Sequence, residues 1–327
     1  MRVRRYWAFV EVERTIDGRD ARSRVWGGSD ESAADARRQA EARAADVDWD
    51  AISECGPASN PNGYSYLRGV TPEHIVDEFR DDAGERCGAI TVNRYGAQVL
   101  NTASLAFVDI DADLMNPATC ERTNELARTT ARVASPKPGD EPRGFFGRLL
   151  GKARAWAADD VEVPVPHDRI EAWVAEGPGR GVRAYRTAAG LRLLLTRPPM
   201  DPASDESGAV LARFGADPAY AALCRAQESY RARLTPKPWR MKEMDYVRGS
   251  GRSFFSGKHP RVGYADYADP GEYLSEWVER YGDASMGYAV CELAAEFGDT
   301  TAPDELTGRL IAVHDECTGV GSGLPLA

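Results

Sequence analysis

The segment Ser104 to Ile110, built around Leu105-Ala106-Phe107-Val108, reads as a strand that runs straight into Asp109-Ile110-Asp111-Ala112-Asp113. Side chains two apart along a strand share a face, so Asp109, Asp111 and Asp113 arrive together at one edge of a sheet. Like charges held so close raise one another's pKa, and the arrangement is unfavourable unless a cation sits among them. Hard divalent ions such as Mg²⁺ and Mn²⁺ take one or two carboxylates together with phosphate oxygens, as in phosphoryl-transfer sites. A plainer use is also open to these residues: Asp111 and Asp113 as turn acids capping a following helix.

Further strands are expected around this one. Residues 4 to 13 alternate Tyr6, Ala8, Val10 and Val12 with Trp7, Phe9, Glu11 and Glu13, a period-two pattern, and Ser23 to Trp26 makes a short partner after a turn at Gly18. Gly88 to Asn93 and Ala97 to Asn101 flank the turn Arg94-Tyr95-Gly96. Gly181 to Arg186 and Leu191 to Thr196 form a hairpin across Thr187-Ala188-Ala189-Gly190. Helices are predicted from an N-cap at Ser29 to about Ala45, and from an N-cap at Thr71 through Pro72 to about Arg80. Others are expected over His167 to Glu176, Ser204 to Phe214, Pro218 to Arg233, Glu272 to Tyr281, Ala284 to Phe297 and Pro303 to Cys317. Strands gathered between helices imply an α+β fold, a sheet covered by helices on at least one face.

Turn residues mark Cys55 to Gly63 as a loop and Ala134 to Gly144, with Pro136, Pro138 and Pro142, as the clearest linker. The amphipathic Gly144 to Gly151 that follows has the pattern to touch a membrane surface or a partner helix; the plainer and preferred reading is a short helix packed back on its own domain. The expected organisation is an N-terminal part at 1–133 carrying the acidic strand end, then a linker or surface excursion at 134–160. A second part of the core follows at 161–260, with the hairpin and a basic segment, and a helical C-terminal region at 261–327.

At 327 residues the chain can bury a full core without staples. The six cysteines (Cys55, Cys87, Cys120, Cys224, Cys291, Cys317) form no Cys-x-x-Cys pair, which argues against a zinc module and a disulfide scaffold and suggests reduced, mostly buried thiols. The basic start Met1-Arg2-Val3-Arg4-Arg5 is followed too soon by Glu11, Glu13 and Arg14 for a signal peptide, and no apolar run approaches membrane-spanning length, so a cytoplasmic protein without membrane contact is expected. The net charge of −10 excludes a surface that grips nucleic acid everywhere, so any such contact must be local.

Two local features suit phosphate. In the hairpin, Gly190 lets a backbone approach a ligand, and Arg183, Arg186 and Arg192 can fork onto phosphate oxygens. From Arg225 to Lys242, the basic residues Arg225, Arg231, Arg233, Lys237, Arg240 and Lys242 interleave with Tyr230 and Trp239 and meet only Glu228. That is the composition for backbone contact with base stacking, and Thr235-Pro236-Lys237-Pro238 would present Trp239 from an extended segment. Ordinary packing would instead put the hairpin arginines in solvent and Trp239 in the core. None of His74, His167, His259 or His314 has a partner at metal-site spacing.

Three of these segments resemble, in order, motifs of the archaeo-eukaryotic primase and primase-polymerase superfamily. Leu105-Ala106-Phe107-Val108-Asp109-Ile110-Asp111 looks like its strand-end hhhDhD motif, and Thr187-Ala188-Ala189-Gly190-Leu191-Arg192 like its second, Gly-containing motif. Glu243-Met244-Asp245 stands for the third. Arg192 occupies a position where the family usually has histidine. The resemblance implies an RRM-like, ferredoxin-like antiparallel or mixed sheet with flanking helices. It also implies catalytic carboxylates at Asp109, Asp111 and Asp245, with Mg²⁺ or Mn²⁺ held by Asp109, Asp111 and Asp113. Nucleotide phosphates would be held by Arg186, Gly190 and Arg192, and nucleic acid by Arg231, Arg233, Lys237, Trp239 and Arg240. The expected function is metal-dependent nucleotidyl transfer on nucleoside triphosphates or nucleic acid; the alternative is a non-catalytic nucleic-acid-binding or protein-interaction module on a degenerate primase-like core.

Overall fold

The computed structural model describes residues 1–16, 19–46, 72–93, 96–111, 165–216, 218–244 and 272–327. Its strands in chain order are β1 (Tyr6–Ile16), β2 (Arg19–Ser29), β3 (His74–Arg80), β4 (Arg86–Val92), β5 (Gln98–Thr102), β6 (Ala106–Asp111), β7 (Gly181–Thr187), β8 (Gly190–Arg197), β9 (Tyr230–Arg233) and β10 (Cys291–Gly298). The α-helices are α1 (Ala33–Ala44), α2 (His167–Ala175), α3 (Asp205–Phe214), α4 (Pro218–Gln227), α5 (Glu272–Ser285) and α6 (Glu305–Thr318). The fold is α+β with antiparallel sheets: a β1-β2 ribbon, a sheet in the order β10-β7-β8-β6 and a second in the order β3-β4-β5-β9. Among the described residues no helix is long and apolar enough to cross a membrane.

On the ribbon, α1 begins after Ser32, whose hydroxyl accepts from the Asp35 amide at 3.1 Å. The cap is therefore Ser32 and not Ser29, which ends β2. The helix lies close because Gly27 has no side chain: a Cβ there would meet the Ala36 carbonyl oxygen at 2.1 Å and the Ala40 nitrogen at 2.4 Å. We expect Gly27→Ala to lever α1 off the ribbon and destabilise the protein by about 1–3 kcal/mol, the usual range for overpacking. Urea denaturation checks this; a midpoint equal to wild type would mean that the ribbon and helix are not in such contact.

Three segments differ from the sequence expectation. Residues 74–80 form β3 and not a helix, with Phe79 buried and the strand paired along β4. The helix expected from Pro218 to Arg233 stops at Gln227, and Tyr230 to Arg233 becomes β9 against β5. Residues 291–298 are β10, whose Leu293, Ala295 and Phe297 turn towards the core while Glu292, Ala294 and Glu296 are exposed. Ala and Glu favour helices in isolation, but here the tertiary pairing with β7 prevails. The C-terminal region thus supplies a strand to the same sheet as the hairpin. The linker at 134–160, the loop at 55–63 and the segment 144–151 lie outside the described residues.

A single large cluster of buried side chains joins both four-stranded sheets with α2, α3, α4 and α6. Ser204 and Asp304 cap α3 and α6 through side chains that accept from the Ser207 and Thr307 amides, and Gly215 and Gly319 end those helices with positive φ. Helix α6 touches both sheets, with His314 and Asp315 against β7 and β8 and with Leu310 beside Gly88 of β4. The end strands β6 and β9 lie side by side. The Tyr220 hydroxyl stitches them, donating to the Phe107 carbonyl at 2.9 Å and accepting from the Arg231 amide at 3.4 Å.

Candidate functional site

The junction of β6 and β9 collects most of the residues that the sequence marks as chemical. Asp109 and Arg192 are direct register partners across β6 and β8, and Tyr185 continues the row on β7, so all three share a face. Arg192 is buried, with 1 % of its side chain exposed, and its guanidinium closes on Asp109 in a fork: Nε donates to Oδ1 at 2.8 Å and a terminal nitrogen to Oδ2 at 3.3 Å. The other terminal nitrogen donates to the Arg233 carbonyl at 2.9 Å and lies 3.3 Å from His314 Nε2. One side chain thus joins β8, β6, β9 and α6.

A guanidinium has no acceptor, so the contact with Arg192 makes His314 Nε2 the acceptor and places the ring proton on Nδ1. That proton faces Asp315 Oδ1 at 2.9 Å, and Asp315 also accepts from the Tyr185 hydroxyl at 2.9 Å and from Arg183 at 2.7 Å. Burial above all, with the nearby Arg192 charge, pushes the His314 pKa down in spite of Asp315, consistent with a neutral ring. At Asp109 burial pushes the carboxyl pKa up, but Arg192, then Arg233 and Lys237, outweigh it and hold the pKa below its ordinary value. Burial likewise works against the charge on Arg192, and Asp109 more than restores it.

These contacts change the roles expected for several residues. Arg192 is not an open phosphate fork, because four of its donor contacts are made inside the protein. Arg186 pairs with Leu191, one place along from the Tyr185–Arg192 row, and so lies on the opposite sheet face; it cannot share a phosphate with Arg192. Arg183 is held by Glu296 and Asp315. Arg231 does not reach outward to nucleic acid: both Glu73 oxygens accept from it at 2.8 Å, and Asn101 and Gln227 fill the other end of its guanidinium. Gly190 pairs with Asp111 at the end of the two strands.

Asp109 is the one acid of the expected metal set whose side chain is described. Its side chain is 35 % exposed, but the positive group at its oxygens is Arg192. A divalent ion there would sit against a buried guanidinium, so the described donors do not fit Mg²⁺ or Mn²⁺, and among the described residues no group of three or more His, Cys, Asp or Glu is placed to hold a metal. The Asp111 side chain, Asp113 and Asp245 lie outside the described residues.

The remaining basic residues follow β9. Arg233 is half-buried at its end, and Lys237 and Arg240 stand on the next turn, in which Trp239 belongs to the 3-10 segment Pro238–Arg240. This path is anchored: the Leu234 amide donates to the Gln98 carbonyl, the Gln98 amide to Thr235, the Tyr281 hydroxyl to the Pro236 carbonyl and the Lys242 amide to Tyr288. Glu73, Tyr220, His314 and Asp315 are the participants that the sequence reading missed. For His314 a signal exists: Leu310, Ile311, His314 and Thr318 recur at helical spacing, so the histidine sits on the apolar face of α6. Of the cysteines, Cys224 and Cys291 are buried, Cys87 half-buried and Cys317 exposed, all as free thiols. Comparison of the chain with protein-family models, with characterised proteins and with solved structures gives no match in any of the three.

Proposed function

We propose that this protein binds nucleic acid through the segment around Arg233 and Lys237, on a primase-like core that does not transfer nucleotides. The observation that carries the reading is the fork of Arg192 on both oxygens of Asp109. In a metal-dependent transferase that carboxylate would need to face a cation and a triphosphate; here its charge is cancelled from within. The antiparallel pairing of the strand holding Asp109-Ile110-Asp111 with the strand opened by Gly190 supports an RRM-like arrangement of the core. Arg233, Lys237 and Arg240 supply local positive charge on a chain of net charge −10, which suits a short contact with the backbone of a single strand.

The test uses a fluorescently labelled single-stranded oligonucleotide and the full chain. Binding should appear at low salt and weaken as salt rises, with a log–log slope of about −1.5 to −2 for two or three phosphate contacts. No Mn²⁺-dependent incorporation of nucleotide should occur. Incorporation that disappears in Asp109→Ala would overturn the non-catalytic half of the reading, and absence of oligonucleotide binding at low salt would overturn the other half.

A further inference from the structure

Among the described residues, the buried arginines around the sheet junction close on carboxylates. Arg192 is matched by Asp109, Arg183 by Asp315 and Glu296, and Arg231 by Glu73. Arg233 has no such match: its Nε is enclosed and has no hydrogen-bond partner, and none of its guanidinium nitrogens donates to a described residue. The comparison with Arg86 is instructive, since that residue also has an enclosed, unpartnered Nε but holds the Val3 carbonyl, Asp30 and Glu78 through its other nitrogens. Trp7 and Ser229, the other described side chains with an unpartnered buried polar atom, are neutral. An enclosed donor on a charged group is unfavourable, and such groups in native proteins have a water, an ion or a ligand as partner.

Asp109 does not supply that partner: its oxygens accept from Arg192, and no hydrogen bond joins it to the Arg233 Nε. Arg192 bridges the Asp109 carboxylate and the Arg233 carbonyl, so Arg233 lies beside that carboxylate, and the charges of Arg233 and Lys237 both act on it. The backbone holds them there: the Arg233 carbonyl is fixed by Arg192, and Thr235 and Pro236 are fixed by Gln98 and Tyr281. A planar fork and a point charge on one rigid turn match a phosphoryl group, whose oxygens accept from both.

We propose that Arg233 and Lys237 together bind one backbone phosphate of a nucleic-acid strand at the junction of the two sheets. This rests on the nucleic-acid reading above, and its test separates the two. Oligonucleotide and inorganic pyrophosphate are titrated against wild type, Arg233→Met and Lys237→Met; the second variant changes a half-exposed side chain and guards against a folding defect in the first. The expected result is oligonucleotide binding that each variant weakens by about tenfold, a single lost charged hydrogen bond, with unchanged circular dichroism. Binding that neither variant alters would overturn this site and leave the nucleic-acid reading in place. Pyrophosphate binding lost in the variants, with no oligonucleotide binding in wild type, would overturn the nucleic-acid source and assign the site to free phosphate. Failure of both ligands to bind would overturn both.

Discussion

Arg192→Met is expected to destabilise the protein by about 3 kcal/mol, the lower end of the range for breaking a buried pair, because Asp109 retains some access to water. Methionine keeps the apolar stem but leaves Asp109, the Arg233 carbonyl and His314 without their shared donor. The loss should depend on pH in a defined direction. In wild type the Asp109 carboxyl is held below its ordinary pKa, so its contribution is fully present above the unfolded value, about 3.9, and fades as pH falls through the depressed folded value. In the variant, burial acts on Asp109 without the opposing guanidinium, so its carboxyl takes up a proton at higher pH than in wild type, and the two proteins should approach one another in stability as pH falls from neutral towards the depressed wild-type value. The double variant Asp109→Leu/Arg192→Met should recover much of the loss, since an apolar pair removes the uncompensated charge. Urea denaturation from acid to neutral pH measures all of this. A single variant as stable as wild type at neutral pH would show that Arg192 is free to serve a ligand after all.

That result bears on how much of the site was legible from sequence. The period-two placement of Asp109 and the turn at Gly190 were enough to predict a strand and a hairpin. Their antiparallel pairing then brings Arg192 opposite Asp109. What local pattern does not carry is the partner of a charge. The repulsion argument at Asp109-Ile110-Asp111 calls for a positive group, which an external metal and an internal guanidinium would answer equally well on paper; at Asp109 the described one is Arg192. The choice is made by β8, 83 residues away in the chain.

The same limit explains the misread elements. Residues 74–80 and 291–298 contain residues compatible with either helix or strand, and pairing with β4 and β7 decides between them. β9 is four residues long, too short for a periodic signal, and its identity comes from β5. Caps fared no better: the expected cap Ser29 ends β2 and the observed one is Ser32, and the helix expected to run to Arg80 is the strand β3, while the start of α3 after Ser204 agrees with the sequence reading. The basic run from Arg225 to Lys242 shows both sides. Its composition is strongly basic, yet Arg225 pairs with Asp205 and Arg231 with Glu73, neither of them adjacent in sequence.

The Arg231–Glu73 pair supplies the second large effect. Their side chains are only 9 % and 6 % exposed, so neither charge has water to fall back on. Glu73 also accepts from Thr91 at 2.5 Å, and Asn101, which accepts from Arg231, donates to Thr91 and to the Ala89 and Val99 carbonyls. Removing one ion therefore leaves a charge and several polar groups unsatisfied within a closed network. Glu73→Ala is expected to destabilise by about 3–5 kcal/mol, the range for an uncompensated buried charge, and Arg231→Met by a similar amount. Glu73→Leu/Arg231→Met should lose distinctly less than either single change predicts by addition, because the coupling within such a pair disappears when both members go. If that double variant folds, it also isolates function: Arg233 and Lys237 remain, so oligonucleotide affinity should stay within about twofold of wild type, as expected when no ligand contact is lost. A tenfold loss in a stably folded double variant would return Arg231 to the set of nucleic-acid contacts and show that its burial against Glu73 is exchanged for phosphate on binding.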